Sequence, residues 1–348
     1  MREASVADRP LWMLDDGGLV LGGGQLFALR LARTAGRPVM LACPAGSPLA
    51  VAADAAGVPW TDVPFPAPAP AQAPALRRAA RRLSAVVPRD AVVLSGAVRA
   101  SLVAGLARLR TDLPVVHLLH ERDSAARATV RLALRRSRVL AVGAVAAQTY
   151  RDALPGARVV QVNNFLAPEE LAPLAAVRRA RNGGGGGVVG VLARLIPEKG
   201  IAELVDELAA QPEAWTQLRV AGARQDESYA RDVEARILRS GLGDRVTLLG
   251  TLDDVPVFLG ELDALAVPST GREAQPTTIL EAVAAGVPVV CRRPIMSPDF
   301  SDLPVAPYDT PAELAAALAA PGAPARLSEI EQRFGVAQVL AALDEVLA

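Results

Sequence analysis

Arg194 and Lys199 stand five positions apart in "ARLIPEKG", and Glu273 and Glu281 stand eight apart in "PSTGREAQPTTILEAVAAGVPVV". Lys199 is the sole lysine of the chain; the other basic residues, 36 of 37, are arginine. A sequence that uses arginine at every ordinary surface position but lysine here suggests a site that wants a compact, mobile ammonium in place of a planar fork. An arginine and a lysine beside a helix start form a cradle for a diphosphate and for the charge that builds when diphosphate leaves. In the second segment, Thr277, Thr278 and Ile279 open an Ala-rich helical run, where unpaired backbone N–H groups face phosphate oxygens. The glutamates suit paired sugar hydroxyls, one on a ribose and one on a hexose. Singly, each of these acids reads as solvated or structural, and the lysine as drift. The four charges together make the pattern.

Other candidates carry less. "LVLGGGQLFALRLA" invites a dinucleotide reading, but Phe27 replaces the third glycine and the next strand ends "LACP", with no acid for a ribose. What survives is a glycine loop, Gly22 to Gly24, with Gly23 and Gly24 open to close backbone approach by an anion or sugar; a plain turn is an equal reading. Both histidines lie in "VVHLLHE". His117 reads as packing. His120, at the carboxyl edge of its strand, divides evenly between substrate contact and a satisfied loop histidine.

These residues need elements to hold them. Six apolar runs of the first half, "LWML", "RPVMLAC", "DAVVLSG", "PVVHLLH", "SRVLAVG" and "ARVVQVN", read as strands, with helical spacing over 76–87, 97–110 and 124–137. Continuous apolar strands alternating with helices predict a parallel sheet covered on both faces. "PFPAPAPAQAPA" reads as an extended, solvated loop, and the "NGGGGG" run as a linker. Beyond it the alternation resumes with "GVVGVLA", "QLRVAG", "RVTLLG", "DALAVP" and "VPVVC" as strands and helices at 199–210, 227–240, 254–261 and 276–285. The predicted division is 1–182, 183–325 and a helical tail 326–348 packing back on the first domain.

The chain is 51% hydrophobic and 3% aromatic, which argues against stacking platforms for nucleic acid. Two distant cysteines, Cys43 and Cys291, read as buried free thiols of a reducing compartment, and the absence of a leader-like start or long apolar span reads as cytoplasmic. The net charge of zero hides an asymmetry: 24 basic against 13 acidic residues up to Asn182, and the reverse after it. Arg77, Arg78, Arg81 and Arg82, with a second stripe of Arg127, Arg131 and Arg135, offer peripheral contact with anionic membrane lipid; a solvated arginine-rich surface is the plainer reading.

The second half resembles the donor domain of the retaining glycosyltransferases of family 4, which have the two-domain GT-B fold. Arg194 and Lys199 match the R-x4-K of that family and Glu273 with Glu281 its E-x7-E, framed by "VAG" at 220–222, "RVTLLG" and "DALAVPS". Ala274-Gln275-Pro276 replaces the glycine and small or aromatic residues that often follow the first glutamate. The resemblance implies an α/β fold of two doubly wound Rossmann-like domains facing a cleft, with a nucleotide diphosphate sugar as co-substrate and no other cofactor or metal. It implies diphosphate on Arg194 and Lys199, ribose on Glu281, donor sugar hydroxyls near Glu273, and transfer with retained configuration to an acceptor the sequence does not name. A GT-B epimerase or a non-catalytic nucleotide-sugar-binding subunit is the competing expectation.

Overall fold

The computed structural model describes residues 9–17, 21–67, 70–108, 115–119, 134, 137–180, 187–271 and 273–348. The chain divides into two compact units, Met1–Ala167 with Phe334–Ala348, and Pro168–Arg333.

The first unit is a seven-stranded parallel sheet: β1 (Leu11–Leu14), β2 (Val39–Cys43), β3 (Trp60–Asp62), β4 (Val92–Ser95), β5 (Val115–Leu119), β6 (Arg138–Val142) and β7 (Arg158–Val162), in the order β3-β2-β1-β4-β5-β6-β7. Its helices are α1 (Gly23–Thr34), α2 (Pro48–Ala55), α3 (Ala73–Val86), α4 (Val98–Arg108) and α5 (Ala144–Ala153). The strand period of two divides each strand between two cores. Leu11 and Met13 of β1 join the layer that holds Phe27, Leu31 and Leu49, while Trp12 and Leu14 join the layer that holds Leu83, Val103 and Ala104. Both faces are therefore covered, which is why these strands read as unbroken apolar runs.

The second unit begins with α6 (Pro168–Ala180) and carries β8 (Val188–Leu192), α7 (Ile201–Ala209), β9 (Gln217–Ala221), α8 (Glu227–Arg239), β10 (Val246–Gly250), α9 (Val255–Gly260), β11 (Ala264–Val267), α10 (Thr277–Ala284), β12 (Val289–Arg292), β13 (Val305–Tyr308), α11 (Pro311–Ala319) and α12 (Leu327–Phe334). Its six parallel strands run β10-β9-β8-β11-β12-β13. A last helix, α13 (Val336–Leu347), buries Val339, Leu343 and Val346 in the first unit's core. Full burial of each contributes about 1.5–3 kcal/mol. Gln338 fixes the helix by accepting from Asn163 N–H and donating to the Asn163 carbonyl, each at 3.1 Å.

Several expectations need correction. The units divide at Ala167/Pro168 and not at Asn182, because α6 packs on α9 and α10 of the second unit. The tail 326–348 is two helices, and the first of them lies almost wholly within the second unit. The sequence reading missed β3 and β13, which are the short edge strands: prolines bound β3, and Pro307 sits inside β13, where an edge tolerates the missing donor. The Pro/Ala loop is not wholly solvated, since Phe65 is buried in the core, and α3 starts at Ala73. Most of the predicted 124–137 helix, with Arg127, Arg131 and Arg135, lies outside the described residues.

Candidate functional site

Both sheets have a point where the winding reverses, and ligands of such sheets bind beyond the strand carboxyl ends at that point. In the second unit it falls between β8 and β11, which pair directly. Arg194 and Lys199 follow β8; Ser269 and Glu273 follow β11.

The segment after β8 is rigidly built. Ala193 N–H donates to Ala221 O and Leu195 N–H to Ala223 O, both at 2.9 Å, so the strand pairing runs on past Leu192. Gly222 makes that possible: a Cβ there would stand 1.9 Å from the Ala193 carbonyl oxygen. Pro197–Lys199 then forms a single 3-10 turn closed by Gly200 at φ +64°, where a Cβ would meet the Pro268 carbonyl oxygen at 2.1 Å. Gly200 is thus the close approach that brings the Lys199 turn against the end of β11. Two further bonds tie the loops, Thr270 and Gly271 N–H both donating to Glu198 O at 3.0 Å.

The result is an ion pair. Lys199 Nζ lies 2.8 Å from Glu273 Oε1, with both side chains about a fifth exposed. The buried Ser269 hydroxyl donates to the same carboxylate oxygen and fixes its orientation. Arg194 turns elsewhere, its guanidinium donating to Gln225 Oε1 at 2.6 Å in an exposed position.

The helix starts differ from expectation in two ways. Lys199 precedes α7, which begins at Ile201, and the Ala202 N–H at that helix start is already given to the Tyr229 hydroxyl at 3.0 Å. At α10, Ile279 N–H donates to the Pro276 carbonyl at 3.3 Å, so it is not an available donor; tightening of the first turn consumes it. Pro276 occupies the cap position without a side-chain acceptor, and this leaves the N–H groups of Thr277 and Thr278 without an acceptor among the described residues. Glu281 lies one turn into α10 and is half-buried. Pro276 directly before "TT" was the available signal, since proline cannot cap a helix with its side chain.

Sequence reasoning missed Gln225, and it met Ser269 only as a framing residue and Gln275 only as part of the Ala274-Gln275-Pro276 replacement, with no partner for either. Gln275 is buried and donates to Asp299 Oδ2 at 3.2 Å, and Ser297 Oγ donates to the same oxygen at 2.7 Å. The Ala274-Gln275-Pro276 replacement therefore anchors the glutamate loop to the segment after β12. A cavity of about 730 Å3 opens at the opposite, amino edge of this sheet, beside Val189, Trp215, Ala264 and Pro288, away from Lys199 and Glu273.

In the first unit Gly23 and Gly24 open α1 after Gly22. His117 is buried in β5, and burial pushes its imidazole down to about 4, so it is neutral packing. His120 lies outside the described residues. Cys43 and Cys291 are buried free thiols whose burial raises them above the ordinary thiol range. Among the described residues, no group of three or more His, Cys, Asp or Glu side chains is placed to hold a metal, and no helix is long and apolar enough to cross a membrane.

Residues 186–320 match the family model described as "Glycosyl transferases group 1". No curated protein matches the chain. Among solved structures it is similar to HepE of Anabaena in complex with UDP-glucose, at 21% identity over 97% of this chain and 99% of that one, with a TM-score of 0.74. A glycosyltransferase from Rickettsia africae aligns at 13% identity over 98% and 93%, TM-score 0.72. Sucrose-phosphate synthase from Thermosynechococcus elongatus aligns at 18% over 97% and 94%, TM-score 0.68. The chain thus has the GT-B fold of solved glycosyltransferases along nearly its whole length, and residues 186–320 of its second unit carry the match to the group 1 glycosyltransferase family.

Proposed function

We propose that this protein is a cytoplasmic, retaining hexosyltransferase of family 4, transferring a sugar from a nucleoside diphosphate donor to an acceptor without a metal. The observation that carries the reading is the Lys199–Glu273 pair at the β8/β11 switch point, held between two rigid loops. In the unliganded protein the ammonium is balanced by Glu273. A donor diphosphate, with about two negative charges, competes for Lys199, and the released Glu273 carboxylate, still oriented by Ser269, accepts from donor sugar hydroxyls. Thr277 and Thr278 N–H add donors at the positive end of α10, and Glu281 takes the ribose. As the bond from the sugar to diphosphate breaks, its electron pair goes to the diphosphate, and Lys199 and Arg194 stabilise that charge. Charge balance from side chains and a helix end makes a bridging metal unnecessary.

The base is proposed as uracil because HepE was solved with UDP and UDP-glucose. The test is a panel of UDP-sugars in which released UDP is measured with and without EDTA. Turnover that EDTA leaves unchanged, with product of the donor's anomeric configuration by NMR, is expected. Abolition by EDTA with rescue by magnesium contradicts the metal-free reading, and tight UDP binding without turnover of any donor identifies a binding subunit instead.

A further inference from the structure

Gln275 lies midway between the two ends of the glutamate loop that face the donor, two residues after Glu273 and two before Thr277. It is 4% exposed and stands between the buried Ala274 and Pro276. A buried side-chain amide is costly unless it is hydrogen-bonded, and a leucine of similar volume would fill the same space without that demand. Gln275 therefore exchanges plain packing for a directed bond. A carboxylate only accepts, so the amide nitrogen must face Asp299, to which it donates at 3.2 Å.

Asp299 is itself held from two further sides. The fully buried Ser297 hydroxyl donates to the same Oδ2 at 2.7 Å, and Asp299 N–H donates back to Ser297 Oγ at 3.4 Å. The Asp299 carbonyl accepts from Arg333, in the last turn of α12, at 2.6 Å, and the same guanidinium reaches Asp302 at 3.0 Å. All of these residues belong to the second unit. The 3-10 turn Pro298–Phe300, with Phe300 fully buried, is thus a fixed post to which Gln275 ties the glutamate loop.

The diphosphate ligands do not depend on this post. Lys199 is set by the Gly200 approach and by the Thr270 and Gly271 bonds to Glu198 O, and α10 is set by Ile279, Leu280 and Val283 in the core. Glu273 differs. Once Lys199 turns to a diphosphate, Ser269 and the loop are what hold the Glu273 carboxylate, and the loop is tied down through Gln275. That carboxylate must meet hydroxyls whose place is already fixed by the diphosphate. A site aligned to bond one hydroxyl rejects a donor that lacks it there, so selectivity follows the position of the loop.

We propose that Gln275 is a positioning residue that sets donor-sugar selectivity: through Asp299 it holds Glu273 in register with the sugar hydroxyls and leaves the diphosphate contacts untouched. This role rests on the donor reading above.

The experiment measures UDP release from UDP-glucose, UDP-galactose and UDP-N-acetylglucosamine, and UDP affinity by calorimetry. The proteins are the parent, Gln275→Leu, Gln275→Glu, and the double variant Gln275→Glu with Asp299→Asn. Gln275→Leu keeps the volume and removes the bond, and Gln275→Glu sets two carboxylates together. The double variant restores the bond with its donor on the other side. Both single variants are expected to bind UDP within about twofold of the parent, to lose about tenfold or more in kcat/KM for the preferred donor, and to narrow the ratio between that donor and the next. The double variant is expected to recover most of both. An unchanged ratio in folded single variants overturns the proposal, as does UDP affinity that falls in step with turnover, or a double variant no better than Gln275→Glu alone. No UDP release from any donor by the parent removes the donor reading, and this role with it. A parent that discriminates while Gln275→Leu keeps the same ratio overturns this role alone and leaves the donor reading standing.

Discussion

The two switch points of the molecule are built on the same plan and charged in opposite ways. After β8 and β11 the chain places Lys199 against Glu273, with Arg194 nearby in sequence, so the site is close to neutral when empty and can exchange one anion for another. After β1 and β4 it places Asp15 with one oxygen that has no partner, and no ion pair, among the described residues. The first arrangement suits a ligand that carries charge; the second leaves a buried acid that desolvation pushes toward its neutral form. The lesson is that the doubly wound sheet supplies only the place. The chemistry comes from the few residues after each central strand, and there the two units share nothing.

The largest effect separating the two edges should come from backbone crowding. Gly200→Ala puts a Cβ 2.1 Å from the Pro268 carbonyl oxygen at a φ of +64°. A loss of about 3 kcal/mol or more is expected from strain plus displacement of the Lys199 turn. Chemical denaturation should show it, together with loss of UDP binding. Gly23→Ala, whose Cβ meets nothing within 4 Å, should leave stability almost unchanged. Equal stability of the two variants would mean that the close approach at Gly200 is not a constraint.

A second effect belongs to the acidic edge and depends on pH. Because the folded Asp15 carboxyl is raised from 3.8 to about 6, both states are protonated below pH 3.8 and there is no penalty. Between 3.8 and about 6 the unfolded chain ionises first, so stability falls as pH rises; above that range the cost is constant at about 3 kcal/mol. Asp15→Asn removes it. The variant should be more stable than the parent at pH 7 and should lose most of that advantage at pH 4, by denaturation midpoint. An equal advantage at both values would show that the gain does not come from ionisation.

The smallest effect is expected at Arg194. It is half-buried and its guanidinium is already held by Gln225, so Arg194→Ala should weaken UDP by about tenfold or less, near 1.4 kcal/mol. A loss well beyond tenfold would place Arg194 on the diphosphate as firmly as Lys199.

These contrasts mark what the sequence could tell. The central strands were legible because burial on both faces makes them continuous apolar runs, and the edge strands β3 and β13 were not, because they are short, β3 bounded by prolines and β13 interrupted by one. The boundary was misplaced because the glycine run draws the eye, whereas α6, upstream of it, is already committed to the second unit. Lys199 stood out by composition and the glutamates by spacing. That Lys199 would pair with Glu273 rather than line up with Arg194 was not legible, since the pairing depends on the Gly200 approach to Pro268. Asp15 in "LDDGG" stands among residues that favour turns, and only burial and the orphaned oxygen distinguish it.

The central claim is that the sole lysine holds a diphosphate. Calorimetric titration of UDP and of uridine into the parent and Lys199→Ala tests it most directly. The account predicts that the variant loses ten- to a hundredfold in UDP affinity, about 1.5–3 kcal/mol, while uridine binds both proteins alike. Equal UDP affinity in the two proteins would contradict it and leave Lys199 as no more than the partner of Glu273.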